Sequence, residues 1–253
     1  DRLRSRGLGD VYKRQVVPNT VTKTLHTDKV YEPDLNSFTI EPFPYYSPLK
    51  SQIETIKSFD RPVILVDDLV HTANRLQVLV PQLREDGIPI KKVVVGVLSG
   101  YGRDLMQCLK VPVESIYSMP NLRQWFVEST LYPFIGGDTV RREEMKVAGL
   151  QPSINMILPY ATPRLSGCSR EALVEFSACC IENSRDLFQV LEAEYRKMYA
   201  KNLTLSRLSE AVILPLCPDK GSCMEYDENL AASVYLENDL ETLWRMKEFL
   251  IKG

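Results

Sequence analysis

The stretch that decides the fold is Arg61-Pro62-Val63-Ile64-Leu65-Val66-Asp67-Asp68-Leu69-Val70-His71-Thr72-Ala73-Asn74-Arg75. Val63 to Val66 follow Pro62 as an unbroken apolar run, which reads as a strand buried on both faces of a mostly parallel sheet. Asp67 and Asp68 come at its carboxyl end, where open α/β sheets place their ligands. Thr72 reads as a helix N-cap, and Arg75 to Glu85 is helical in pattern, with Leu76, Leu79 and Leu83 on one face. The first amides of that helix would face whatever the aspartates face.

Carboxylates and helix N-terminal amides are complementary tools. The carboxylates accept hydrogen bonds from sugar hydroxyls or hold a hydrated Mg²⁺, while the amides cradle a phosphate. The layout suits a sugar phosphate. A plainer reading stands beside it, in which the acidic pair only ends a strand and one member caps the next helix.

Residues 61–75 resemble the phosphoribosyl pyrophosphate motif of the type I phosphoribosyltransferases, in which several apolar residues lead to two acidic residues and a Thr/Gly-rich phosphate loop. The resemblance implies an open, mostly parallel α/β sheet of phosphoribosyltransferase type. It implies that Asp67 and Asp68 approach the ribose hydroxyls, directly or through Mg²⁺ or water, and that Val70, His71, Thr72, Ala73, Asn74 and Arg75 bind the 5-phosphate. It further implies transfer of a phosphoribosyl group to a nitrogenous acceptor, with pyrophosphate leaving. Three positions depart from the family pattern: His71 replaces Thr or a small acidic residue, Ala73 replaces Gly, and Arg75 often replaces Thr or Ser. Alanine suits a helical backbone but resists a loop of positive φ, and Arg75 offers a planar fork that can grip phosphate directly.

Working outward, the chain has 253 residues, enough for one large core or two modest domains. With 44% apolar and 25% charged residues and a formal net charge of -2, it gives no ground for bulk attraction to nucleic acid. No run approaches the length of a membrane span, and a cytoplasmic location is the expectation. The six cysteines are scattered through a chain large enough to fold without staples. Cys217 and Cys223 lack a second, similarly spaced thiol pair, which argues against a zinc site.

Residues 1–15 are basic and read as a non-native or disordered leader. Residues 16–150 read as the α/β domain and 151–253 as a mainly helical C-terminal region. Before the motif, Lys23, His26 and Lys29 lie where phosphoribosyltransferases carry a mobile loop that closes over substrate, so Lys23 and His26 are candidates to act on the leaving group. A short helix is expected over residues 51–58. Strands are expected over 92–98 and 113–117, with a helix at 103–109 between them, as a right-handed βαβ series.

Phe134-Ile135-Gly136-Gly137-Asp138-Thr139 is read as a turn, with a phosphate loop as the alternative, and residues 155–160 as a short strand. Residues 169–199 have the 3.6-residue period of a long helix, placing Leu173, Phe176, Cys180, Leu187, Leu191 and Tyr195 toward one side, its cysteines read as small buried residues. Helical character is expected to continue over 205–214 and 228–250.

Two functions from different classes follow. One is a phosphoribosyltransferase-like enzyme for a phosphorylated ribose or nucleotide-like small molecule, using Mg²⁺. The other is a non-catalytic ligand sensor or scaffold, since the chain also resembles the portion that follows a cytidylyltransferase-like domain in uncharacterised bacterial proteins. A homodimer partner or an upstream catalytic domain fits that second reading. No H-x-G-H signature occurs here, so nucleotidyl transfer is not assigned to these residues. G-x-G-x-x-G is also missing after any expected strand, which disfavours a dinucleotide-binding module.

Overall fold

The computed structural model describes residues 22–43, 46–141, 151–163, 167–216 and 226–252, and shows a mixed α/β protein with two sheets and several helices. The leader at 1–15 and the Cys217/Cys223 pair lie outside the described residues. The chain divides into two compact units, one holding residues 40–125 with 22–29 and the other holding 30–39 with the described residues from 126 onward.

In the first unit, α1 (Leu49–Lys57) precedes a three-stranded sheet of order β3 (Val63–Val70), β4 (Ile90–Ser99) and β5 (Val113–Met119). Both strand pairs are parallel. Parallel neighbours require crossovers, supplied by α2 (Asn74–Glu85) and α3 (Gly100–Cys108). Leu76 and Val80 of α2 and Met106 of α3 share one core with Val93 and Val95 of β4 and Val70 of β3.

The expectation of a strand buried on both faces is corrected here. Exposure alternates along β3, and Ile64 and Val66 are 47% and 68% exposed, as is Ile116 of β5 at 74%. With α2 and α3 packed into one core, the alternating side chains of β3 divide between a covered and an open face. The apolar run could not reveal this, because residue type does not say which face receives a helix.

The second unit carries β6 (Asp138–Val140), β7 (Gln151–Ile154) and β8 (Ile213–Pro215), with the adjoining ends of β1 (Thr27–Tyr31) and β2 (Phe38–Pro42), in a five-stranded sheet of order β2, β1, β6, β7 and β8. β1 pairs parallel with β6, β6 antiparallel with β7, and β7 parallel with β8. Two expectations are corrected. Residues 205–214 form one α-helical turn, α5 (Leu205–Leu208), and a 3-10 turn at Ser209–Ala211 before entering strand β8, and the strand expected at 155–160 lies earlier, at Gln151–Ile154.

Beside this sheet, α4 (Arg170–Tyr199) and α6 (Ala232–Lys252) run antiparallel, with Glu192 holding Ser233, Glu237 holding Gln189, and Lys247 near Glu175 at 3.9 Å. Ser169 caps α4 by accepting from the Ala172 amide at 3.1 Å. Glu171 in the first turn has its carboxyl held below the usual range by hydrogen bonds from its own amide and Ser169. The core between these helices contains Phe134, Ile157, Ile181, Leu205, Leu214, Leu236 and Leu243.

Of the paired cysteines, Cys180 is buried as expected, whereas Cys179 is exposed. Burial, with Cys179 adjoining, pushes the Cys180 thiol up to about 11.

Candidate functional site

Asp67 and Asp68 do not end their strand. β3 continues through Val70, so consecutive carboxylates project to opposite faces of the sheet. Asp67 is half-buried and lies 4.0 Å from Nη1 of Arg75, in the first turn of α2. Asp68 is exposed with Ile64 and Val66. Each carboxylate also accepts the next residue's amide: Asp68 N donates to Asp67 Oδ1 at 3.1 Å, and Leu69 N to Asp68 Oδ1 at 2.8 Å.

This alternation limits what a divalent ion could do. Among the described residues no group of three or more His, Cys, Asp and Glu is placed to hold a metal. Joint chelation of one Mg²⁺ by Asp67 and Asp68 does not fit side chains on opposite faces of one strand. An ion could therefore use only one of these carboxylates at a time, with the rest of its shell from ligand or water.

The loop after β3 is short and strained. Ala73, not Thr72, stands before α2, and it holds φ 50° and ψ 21° in the left-handed region. That conformation costs an L-residue about 1–2 kcal/mol relative to right-handed backbone. The expectation of a Thr72 cap is thus corrected: no side chain caps α2, and Gln77 N donates to Ala73 O at 2.8 Å. Thr72 contributes its carbonyl instead, accepting Gln77 Nε2 at 2.9 Å. Position 73 thus has the positive φ that glycine adopts without strain.

His71 is tied to the neighbouring strand. Its Nδ1 lies 2.9 Å from Oγ of Ser99, which also accepts the Gly102 amide at 2.9 Å as the N-cap of α3. When Ser99 donates to Nδ1, the neutral imidazole carries its proton on Nε2 and has a donor left for a ligand. Tyr101 meets the His71 ring edge-on at 6.2 Å. On β5, Ser118 accepts Arg103 Nη2 at 2.6 Å.

Three strand ends thus contribute to one edge of the sheet. Asp67, Val70, His71, Thr72, Ala73, Asn74 and Arg75 come from β3 and its loop, Ser99, Tyr101 and Arg103 from β4 and α3, and Ser118 from β5. Ser99, Tyr101, Arg103 and Ser118 were not read as site residues from sequence. Their signal was available in the successive parallel strands, whose carboxyl ends must share an edge.

Gly96 and Gly102 allow the close approach at this edge. A Cβ on Gly96 would lie 2.9 Å from Asp68 O, and one on Gly102 only 2.3 Å from Val70 O. Gly136 has a similar packing role in the other unit, where a Cβ would meet Ser129 O at 2.1 Å. Of residues 134–139, Phe134 and Ile135 form a turn, while Asp138 and Thr139 already belong to β6.

Lys23 and His26 occur elsewhere in the first unit. They line a recess of about 190 Å³ with Tyr46, Ser47, Ser51, Gln52 and Thr55. The His26 ring stacks on Tyr46 at 3.8 Å. Buried Gln52 fixes this corner, accepting His26 N at 2.8 Å and donating to the carbonyls of His26 and Ser47 at 3.1 and 2.8 Å. Neighbouring Leu25 packs with α1, the later part of α2, and Val63 and Ile90 at the amino-terminal ends of β3 and β4. The structure therefore groups Lys23 and His26 with each other and not with His71 and Ser99.

Comparison with protein-family models, curated proteins and solved structures finds no significant match. Among the described residues no helix is long and apolar enough to cross a membrane.

Proposed function

We propose that the carboxyl edge of the β3–β5 sheet binds a phosphorylated ribose of the phosphoribosyl pyrophosphate type. The observation carrying this reading is the placement of Asp67 opposite Arg75 at the uncapped start of α2. An acceptor for sugar hydroxyls thereby adjoins a cation and free-facing helix amides suited to phosphate. His71, oriented by Ser99, adds a donor, and Asp68 adds a second acceptor on the open face.

In a phosphoribosyltransferase-like reaction the bond from the anomeric carbon to pyrophosphate breaks while a bond to a nitrogenous acceptor forms. The sequence resemblance supports that chemistry, with electrostatic positioning carrying most of the work. Ligand sensing without transfer is a second reading. It is favoured by the strained Ala73 and by the grouping of Lys23 and His26 away from the His71 edge.

Calorimetric titration with phosphoribosyl pyrophosphate and ribose 5-phosphate, with and without Mg²⁺, tests binding. Asp67→Asn with Asp68→Asn is expected to weaken affinity by about tenfold or more, since hydrogen bonds to a charged group contribute about 1.5–3 kcal/mol. Unchanged affinity in the folded double variant would reject the site. Pyrophosphate release with a panel of nitrogenous acceptors separates transfer from sensing.

A further inference from the structure

The apolar stripe of α4 is only partly used inside its own chain. The 3.6-residue period puts Phe176, Leu187 and Leu191 on the same side as Cys180, yet the folded helix turns Val174, Ala178, Ile181 and Phe188 into the core. A second apolar face remains outside. Leu187, Val190, Leu191 and Met198 are 45%, 62%, 44% and 66% exposed. Their three-, four- and seven-residue spacings place them in one strip of about 17 Å at 1.5 Å per residue. Such a strip on a long helix is a packing surface for another helix.

We propose that α4 is a self-association helix that pairs antiparallel with α4 of a second copy, about a two-fold axis between Val190 and Leu191. The charges beside the strip favour this occupant. Asp186 and Lys197 lie on the same flank, three helical turns apart, so antiparallel pairing brings Asp186 of each copy toward Lys197 of the other, twice per dimer. In this register Val190 faces Leu191 across the axis and Met198 faces Asn183. Glu194 enters the seam beside Leu187, with its carboxylate 3.7 Å from Lys197 of its own chain. Asp186 already holds Arg185, but both bonds use Oδ1, which leaves Oδ2 for Lys197 of the second copy.

Sedimentation velocity on the full chain over a concentration series, up to about 100 µM, tests the pairing. The expected result is a reversible monomer–dimer equilibrium. Val190→Glu with Leu191→Glu should abolish it, while circular dichroism shows unchanged helix content. Asp186→Lys should weaken the dimer by about tenfold, as like charges replace two flanking pairs, and adding Lys197→Asp should restore it. A wild-type chain that stays monomeric throughout would overturn the proposal. So would a dimer indifferent to Val190→Glu and Leu191→Glu, or a charge-swapped double variant as weak as the single one.

Discussion

Gly102→Ala provides a test of the site edge in which the sign of the effect decides. Gly102 lies in the first turn of α3, so alanine without steric conflict should stabilise the helix by about 1 kcal/mol. The structure predicts the reverse. An added Cβ would lie 2.3 Å from Val70 O and 2.8 Å from Val70 C, whereas real Cβ contacts essentially never fall below 3.0 Å. Both neighbours are backbone, so no side chain can swing away, and α3 must retreat from β3. Overpacking costs about 1–3 kcal/mol. Retreat also loosens the Gly102 amide from Ser99 Oγ, at about 1 kcal/mol for a hydrogen bond, and disturbs fully buried Met106.

Setting these costs against the propensity gain, a net destabilisation of about 2 kcal/mol is expected. Urea denaturation followed by circular dichroism measures it. Hydrogen exchange across residues 90–108 should localise the loss to β4 and α3. The same variant should weaken ribose-phosphate binding, because Ser99 orients His71. A Gly102→Ala protein equal to or more stable than the wild type would refute the close approach of α3 to Val70 and the edge built upon it.

Ala200 ends α4 with φ 51° and ψ 32°, is exposed, and donates its amide to Arg196 O. Ala200→Gly should therefore stabilise the protein by about 1 kcal/mol, seen as a higher urea midpoint. Tyr160 donates its hydroxyl to buried Asp239 at 2.5 Å, and Tyr160→Phe should cost about 1–3 kcal/mol in the same assay by removing that donor. At pH 8 the Cys180 thiol stays protonated because its raised value of about 11 lies well above the solution pH. Mass spectrometry after brief thiol labelling should find exposed Cys108, Cys168 and Cys179 modified and Cys180 modified only after unfolding.

The βαβ series was legible because its signals are local. A continuous apolar run, a helix with Leu76, Leu79 and Leu83 on one side, and Gly87 before the next apolar run are sufficient to order β3, α2 and β4. The candidate ligand edge was legible for the same reason, through the acidic pair and the residues following it. Its extent was not. Ser99, Arg103 and Ser118 join it from β4, α3 and β5, and sequence order does not display lateral neighbours.

Periodicity also settled that residues 169–199 form one long helix, since a repeat near 3.6 residues fits no other element. Tertiary packing decided how that helix is used, burying Val174, Ala178, Ile181 and Phe188 while leaving Leu187, Val190, Leu191 and Met198 outside. It likewise opened one face of an apolar strand. The physical reason is common to both cases. A sequence fixes the spacing of side chains along an element, but the free energy of burial depends on which neighbour covers each face, and that neighbour is supplied by distant parts of the chain or by a second molecule.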